Sequence, residues 1–132
     1  MNDQFTLVTG ASKGSGRACS ERLARAGFNV IGLARKLPSG DFPGEFYEVD
    51  VTDRKALTAF LEWLSVERPV VNLINNVGLA GPELLQDITT DTLDRVLETN
   101  LDSAILCAIY CCGAMKNNRQ GRIVNISTEH NL

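Results

Sequence analysis

A doubly wound, parallel α/β sheet is the fold class this chain of 132 residues predicts, on three observations. Short apolar segments alternate along the chain with longer segments of helical periodicity. The second, fourth and fifth of the short segments are close to continuously apolar, as strands covered on both faces are. Gly- and Pro-bearing turns separate the elements, and no linker, repeat or low-complexity stretch divides residues 1–132, so a single domain is expected.

Each element has its own signal. Phe5, Leu7 and Val8 form the first strand, which runs into the glycine segment TGASKGSG at 9–16. Cys19, Leu23 and Ala26 then recur at helical spacing as far as Gly27. NVIGLAR at 29–35 is the second strand, LPSGDFPG at 37–44 a loop, and EFYEVD at 45–50 the third strand. Thr52 or Asp53 suits the cap of a helix whose Leu57, Phe60, Leu61 and Leu64 share one face, and Pro69 marks its end. VVNLINN at 70–76 is the fourth strand. After GLAGPELL at 78–85, one long helix is predicted from near Thr90 to Met115, with Leu93, Val96, Leu97, Leu101, Ala104, Ile105 and Ala108 as its inward stripe. RIVNIS at 122–127 is the fifth strand.

Composition narrows the function. At 44% hydrophobic and 22% charged residues the chain is of globular type, and no uninterrupted apolar run approaches the roughly 20 residues of a membrane span. The start, MNDQFTLVTG, lacks the features of a secretory signal, so a cytoplasmic protein is expected. A net charge of -3 without a basic tract argues against nucleic acid and against anionic membranes as partners. Cys19, Cys107, Cys111 and Cys112 lack the spacing of a disulfide framework. Cys107 and Cys111 share a helix face, but His130 is the one histidine and no second ligand pair accompanies them, so no metal site is expected.

The unusual residues cluster at the carboxyl ends of strands, where such sheets bind ligands. Gly10, Gly14 and Gly16 are spaced G-x-x-x-G-x-G between a strand and a helix. Such a turn lets the backbone bend sharply and approach a pyrophosphate, while the helix it opens directs free N–H groups at the anion. No Gly-Lys-Ser/Thr follows, which disfavours a nucleoside-triphosphate loop.

TGASKGSG, Asp50-Val51 after the third strand, NNVG at 75–78 and Asn100 in the long helix together resemble the short-chain dehydrogenases/reductases, in order and over Thr9 to Thr128. The resemblance implies a Rossmann-type, three-layer αβα fold, of which this chain carries the N-terminal five strands. It implies a nicotinamide cofactor held by Thr9, Gly10, Ser12, Lys13, Gly14, Ser15 and Gly16 of the turn. Asp50 and Val51 would lie at its adenine, the backbone around Asn76, Val77 and Gly78 beside its ribose, and Asn75 would brace the central strands. Ser15 stands where the family has an aliphatic residue, and Val77 where it has Ala.

The form of the cofactor follows from charge. A free ribose 2′-OH is received by Asp or Glu at the end of the second strand, whereas this chain has Ala34 and Arg35 there. Arg35 and Lys13 would neutralise a 2′-phosphate, so NADP(H) is favoured over NAD(H).

Asn100 falls beside Leu97, Leu101 and Ala104 on an apolar stripe, where an amide needs a hydrogen-bond partner. It is either satisfied by backbone or, as the resemblance implies, holds a water in a proton relay. By the same resemblance a hydroxyl past the fifth strand orients the substrate carbonyl, and Ser127 and Thr128 are both candidates. The family's Tyr and the Lys four residues beyond it are not among these residues, since neither Tyr47 nor Tyr110 is so followed. The expected function is an NADP(H)-dependent oxidoreductase acting on a carbonyl or secondary alcohol, such as a 3-oxoacyl-carrier-protein reductase-like enzyme, with the Tyr and Lys beyond Leu132. A homodimer or homotetramer is expected by family analogy. The alternatives are a non-catalytic NADP-binding or interaction module and a methyltransferase on a related sheet.

Overall fold

A computed structural model of the chain describes residues 3–79 and 84–127. Its elements are β1 (Phe5–Thr9), α1 (Gly14–Arg25), β2 (Asn29–Ala34), β3 (Glu45–Glu48), α2 (Arg54–Glu67), β4 (Val70–Asn75), α3 (Thr90–Leu97), α4 (Ser103–Asn117) and β5 (Arg122–Asn125). All strand pairs are parallel, in the order β3-β2-β1-β4-β5. The chain therefore winds outward from β1 in one direction, then crosses back to β4 and proceeds in the other. This reversal opens a crevice at the carboxyl ends of β1 and β4.

Alternation along β1 sends Leu7 to one face and Val8 to the other. The Leu7 face packs with Ile31, Leu33 and Leu73 against Leu57, Leu61 and Leu64 of α2 and Cys107 and Cys111 of α4. The Val8 face packs with Val30 and Ile74 beneath Cys19, Leu23 and Ala24 of α1. Three layers result, αβα. Of the two candidate caps for α2, Asp53 is the one used, its side chain accepting from the Ala56 N–H. The β2–β3 connection, residues 35–44, contains no helix.

The predicted long helix differs from the observed one in two respects. A π-helical turn at Glu98–Asp102 separates α3 from α4, and the buried face is Thr99, Ser103, Cys107 and Cys111. Of the expected inward stripe, Leu93, Leu97, Leu101 and Ile105 are each about half exposed, while Val96, Ala104 and Ala108 are half-buried. Small side chains at fourfold spacing let α4 lie close on the sheet, and Ser103 removes its own polar cost by donating to Thr99 O at 2.6 Å. The larger aliphatic residues are turned outward by that choice of face.

Residues Thr90–Asn117 together form a helical run long and apolar enough, in length and composition, to cross a membrane. In this fold α4 is instead laid on β4, with Ser103, Cys107 and Cys111 against the protein. Burial pushes the Cys107 and Cys111 thiols up to about 12, so both behave as small apolar residues.

Candidate functional site

The crevice holds a cavity of about 800 Å³. Gly10, Ser12, Lys13 and Gly14 of the β1–α1 turn form one wall, and Arg35 to Ser39 of the β2–β3 loop form another. Asp50 and Val51 close the end beyond β3, and Asn76 to Leu79 the side beyond β4. Arg95, Glu98 and Thr99 reach it from α3 and the π-helical turn.

The glycine turn is shaped by positive φ at Gly10 and Gly14, +62° and +58°, and by a close approach at Gly16. A Cβ on Gly16 would lie 2.1 Å from the Gly10 carbonyl oxygen and 2.6 Å from Asn76 Nδ2. The turn ends at Lys13, whose side chain does not cap α1, and the first turn of α1 carries no acidic residue. The leading N–H groups thus keep their positive end free of a side-chain acceptor.

Thr9 and Asn76 lock the two strand ends together. The Thr9 hydroxyl, on a residue only 2% exposed, accepts from the N–H groups of Asn76 at 3.0 Å and Val77 at 3.3 Å. Asn76 Nδ2 donates to Gly10 O at 3.2 Å. Thr9 and Gly16 therefore lie beneath the cavity as braces, and Ser15 is exposed on α1, outside the lining.

At the far end, Asp50 Oδ1 accepts from the Thr52 N–H at 2.9 Å and the Thr52 hydroxyl at 2.7 Å. Burial works to raise the Asp50 pKa, but these two bonds and the charge of Arg35 outweigh it and hold the carboxyl below its ordinary value.

A second hollow, of about 450 Å³, lies where β4, β5 and α4 meet, lined among others by Asn75, Asn100, Ser103 and Asn125. Asn75 Nδ2 donates to Asn125 Oδ1 at 3.0 Å and to Ala104 O at 3.4 Å, so it braces β4 against β5 and α4. Asn100 is exposed rather than held on a buried stripe. Its Oδ1 accepts from the Leu79 N–H at 2.7 Å and its Nδ2 donates to Leu79 O at 2.9 Å. The Leu79 backbone thus supplies the partner that this amide needs. Ser127 is exposed just past β5, and Thr128 lies outside the described residues. Tyr47 donates to Glu45 Oε2 at 2.7 Å, and burial with that bond raises its pKa. Its ring packs on Phe60 and Trp63, so this phenol serves the sheet edge.

Ten of the residues singled out from the sequence thus line one cavity: Gly10, Ser12, Lys13, Gly14, Arg35, Asp50, Val51, Asn76, Val77 and Gly78. Lys36 to Ser39, Arg95, Glu98 and Thr99 also line it and were not anticipated. Lys36 carried a signal, standing next to Arg35. Arg95, Glu98 and Thr99 carried none, because only the fold brings α3 and the π-helical turn over the crevice.

Comparison with known proteins settles what this arrangement belongs to. A family model described as short chain dehydrogenase matches residues 4–131. The chain belongs to the short-chain dehydrogenase family. That membership sets aside the methyltransferase alternative. Among curated short-chain dehydrogenases, the chain is 32% identical over 133 residues to the 3-oxoacyl-[acyl-carrier-protein] reductase FabG of Escherichia coli, covering 95% of this chain and 54% of that one. The Salmonella typhimurium FabG is 34% identical with the same coverage. The aldohexose dehydrogenase of Thermoplasma acidophilum superposes with a TM-score of 0.86 at 29% identity, over 96% of this chain and 50% of that one. A protein assigned as an NAD(P)-dependent gluconate 5-dehydrogenase from Beutenbergia cavernae, with bound NADP at low occupancy, also gives 0.86 at 29%, over 95% and 54%. The chain spans about half the length of the curated relatives it matches.

Proposed function

We propose that this chain forms the dinucleotide-binding part of an NADP(H)-dependent oxidoreductase that moves hydride between the nicotinamide and a carbonyl or secondary alcohol. The observation that carries this reading is one cavity that joins the uncapped start of α1 to Lys13 and Arg35, with Ala34 rather than a carboxylate ending β2. The residues present fit the group. Gly16, with no room for a Cβ against Gly10, keeps the turn tight enough for a pyrophosphate to approach backbone N–H groups. Arg35 and Lys13 offer charge-assisted hydrogen bonds to a 2′-phosphate, which an acidic residue there would repel.

Each remaining residue has a positioning task in this reading. Gly10, Ser12 and Gly14 receive the diphosphate, Asp50 and Val51 the adenine, and Asn76, Val77 and Gly78 the ribose side. Thr9 and Gly16 hold that wall in register from below. Ser15 contributes through its place at the start of α1. Asn100 clips the Leu79 backbone and so sets the path of the segment beyond β4, and it would hold a water of the proton relay. Ser127 or Thr128 orients the substrate oxygen. When bound, the nicotinamide supplies the hydride chemistry, and the protein supplies orientation and proton transfer. A 3-oxoacyl thioester is the substrate class favoured by the likeness to the FabG reductases.

Residues 1–132 act as one domain in this reading, in a cytoplasmic protein. Leu93, Leu97, Leu101 and Ile105 leave an apolar face on α3 and α4, and a homodimer or homotetramer would cover it.

Substituting Arg35 by Asp tests the cofactor assignment. NADPH affinity, read by fluorescence titration, is expected to fall more than tenfold, about what two lost or reversed charge contacts cost. NADH affinity is expected to stay within about twofold or to improve. Equal weakening of both would remove the case for 2′-phosphate recognition.

A further inference from the structure

Resting on the NADP(H) reading, we propose that Arg17 and Phe42 form a latch that holds the β2–β3 loop in the shape needed for 2′-phosphate recognition, and so set cofactor choice without touching the cofactor. Lys13 and Arg35 stand on two separate elements, the glycine turn and the β2–β3 loop. Their joint use requires those elements to keep a fixed distance. The loop, lacking a helix of its own, does not supply the rigidity that a packed helix would.

Arg17, in the first turns of α1, spans the gap. Its Nη2 donates to the Asp41 carbonyl oxygen in the loop, and its Nε is steadied by Glu21 Oε1 at 2.9 Å. The same guanidinium lies 5.6 Å from the centroid of the Phe42 ring. Phe42 in turn is seated in the sheet. Its ring fills the space above Gly32 of β2, where a Cβ would meet it at 2.4 Å, and it meets Phe46 of β3 edge-on at 5.1 Å.

The return half of the loop is thus pinned on the face of the sheet that α1 covers. The outgoing half, Arg35 to Ser39, lines the cofactor cavity. A helix-borne cation therefore fixes the loop at 41–42, while Lys13 and Arg35, the cations assigned to the phosphate, line the cavity. None of Arg17, Phe42 or Gly32 lines the cavity, so these are positioning residues.

The test compares NADPH and NADH dissociation constants for the unsubstituted chain, Arg17→Ala, Phe42→Leu and Phe42→Tyr, with amide hydrogen exchange across residues 36–44 measured without cofactor. For Arg17→Ala and Phe42→Leu the NADPH constant is expected to rise about tenfold, the effect of one displaced charge-assisted bond. NADH binding should stay within about twofold, exchange in the loop should quicken, and Phe42→Tyr, which keeps the ring, should behave as the unsubstituted chain. A general structural role would weaken both cofactors alike. That result, or an unchanged NADPH-to-NADH ratio in a chain that does prefer NADPH, overturns the latch and leaves the cofactor assignment intact. If the unsubstituted chain binds the two forms equally, the cofactor assignment fails and the latch falls with it.

Discussion

Gly16→Ala is expected to destabilise the fold by about 1–3 kcal/mol and to weaken NADPH binding by up to about a hundredfold, the binding equivalent of that strain. Intrinsic propensity alone predicts the opposite, since alanine in a helix is worth about 1 kcal/mol over glycine. Packing decides the sign here. The new Cβ would sit 2.1 Å from the Gly10 carbonyl oxygen, and that contact is with backbone, which has no rotamer to turn away. Relief requires α1 to move off the turn, which opens the pyrophosphate cradle. Gly113, within α4, has nothing within 4 Å of its would-be Cβ. Gly113→Ala should therefore follow propensity and stabilise by about 0.5–1 kcal/mol. Denaturant titration of the pair, with NADPH fluorescence, separates the two mechanisms. A stabilised Gly16→Ala that still binds would show that the cradle is looser than described.

Thr9→Val keeps the shape of the side chain and removes its oxygen. The N–H groups of Asn76 and Val77, both bound to that oxygen, would lose their acceptor at the point where β4 leaves the sheet. The expected cost is about 2–3 kcal/mol, since stranding even partly buried donors is dearer than the net worth of the bonds. NADPH binding should fall about tenfold as the Asn76–Gly78 wall shifts, again on the scale of one or two hydrogen bonds. Thr9→Ser retains the hydroxyl and should recover most of both losses. Midpoints of urea unfolding for the three proteins give the stability difference directly. A Val variant as stable as the Ser variant would mean that the hydroxyl is not the joint between β1 and β4.

Much of the fold was readable because its signals are local. A strand entering a glycine turn and leaving as a helix needs no knowledge of distant residues, and neither does the Leu57, Leu61, Leu64 face of α2. The cavity-lining glycines, Arg35 and Asp50 follow from the same logic, since strand ends in a parallel sheet converge whatever the side chains are. What escaped depends on partners far along the chain. The most apolar face of α3 and α4 reads as the buried one, yet the sheet accepts the Thr99, Ser103, Cys107, Cys111 face because small residues pack closest. The π-helical turn at Glu98–Asp102 has no periodic signature, and it detaches the register of α3 from that of α4.

Site details divide along the same line. Asn100 was recognisable as an amide in need of a partner, but Leu79 as that partner required the segment beyond β4 to be in place. Thr9 and Gly16 were recognisable as parts of the turn, and their burial shows them bracing the cavity from outside its lining. Arg17 carries no mark in the sequence beyond its charge. Its contact with Phe42 exists only because the β2–β3 loop folds back over Gly32.

Calorimetric titration of the unsubstituted chain with NADPH and, separately, with NADH measures the proposed function most directly. The expected result is saturable binding of one NADPH per chain, about tenfold or more tighter than NADH, the margin that contacts to one 2′-phosphate supply. No heat of binding with either nucleotide would contradict the dinucleotide site itself. Tighter binding of NADH would contradict the part given to Arg35 and Lys13.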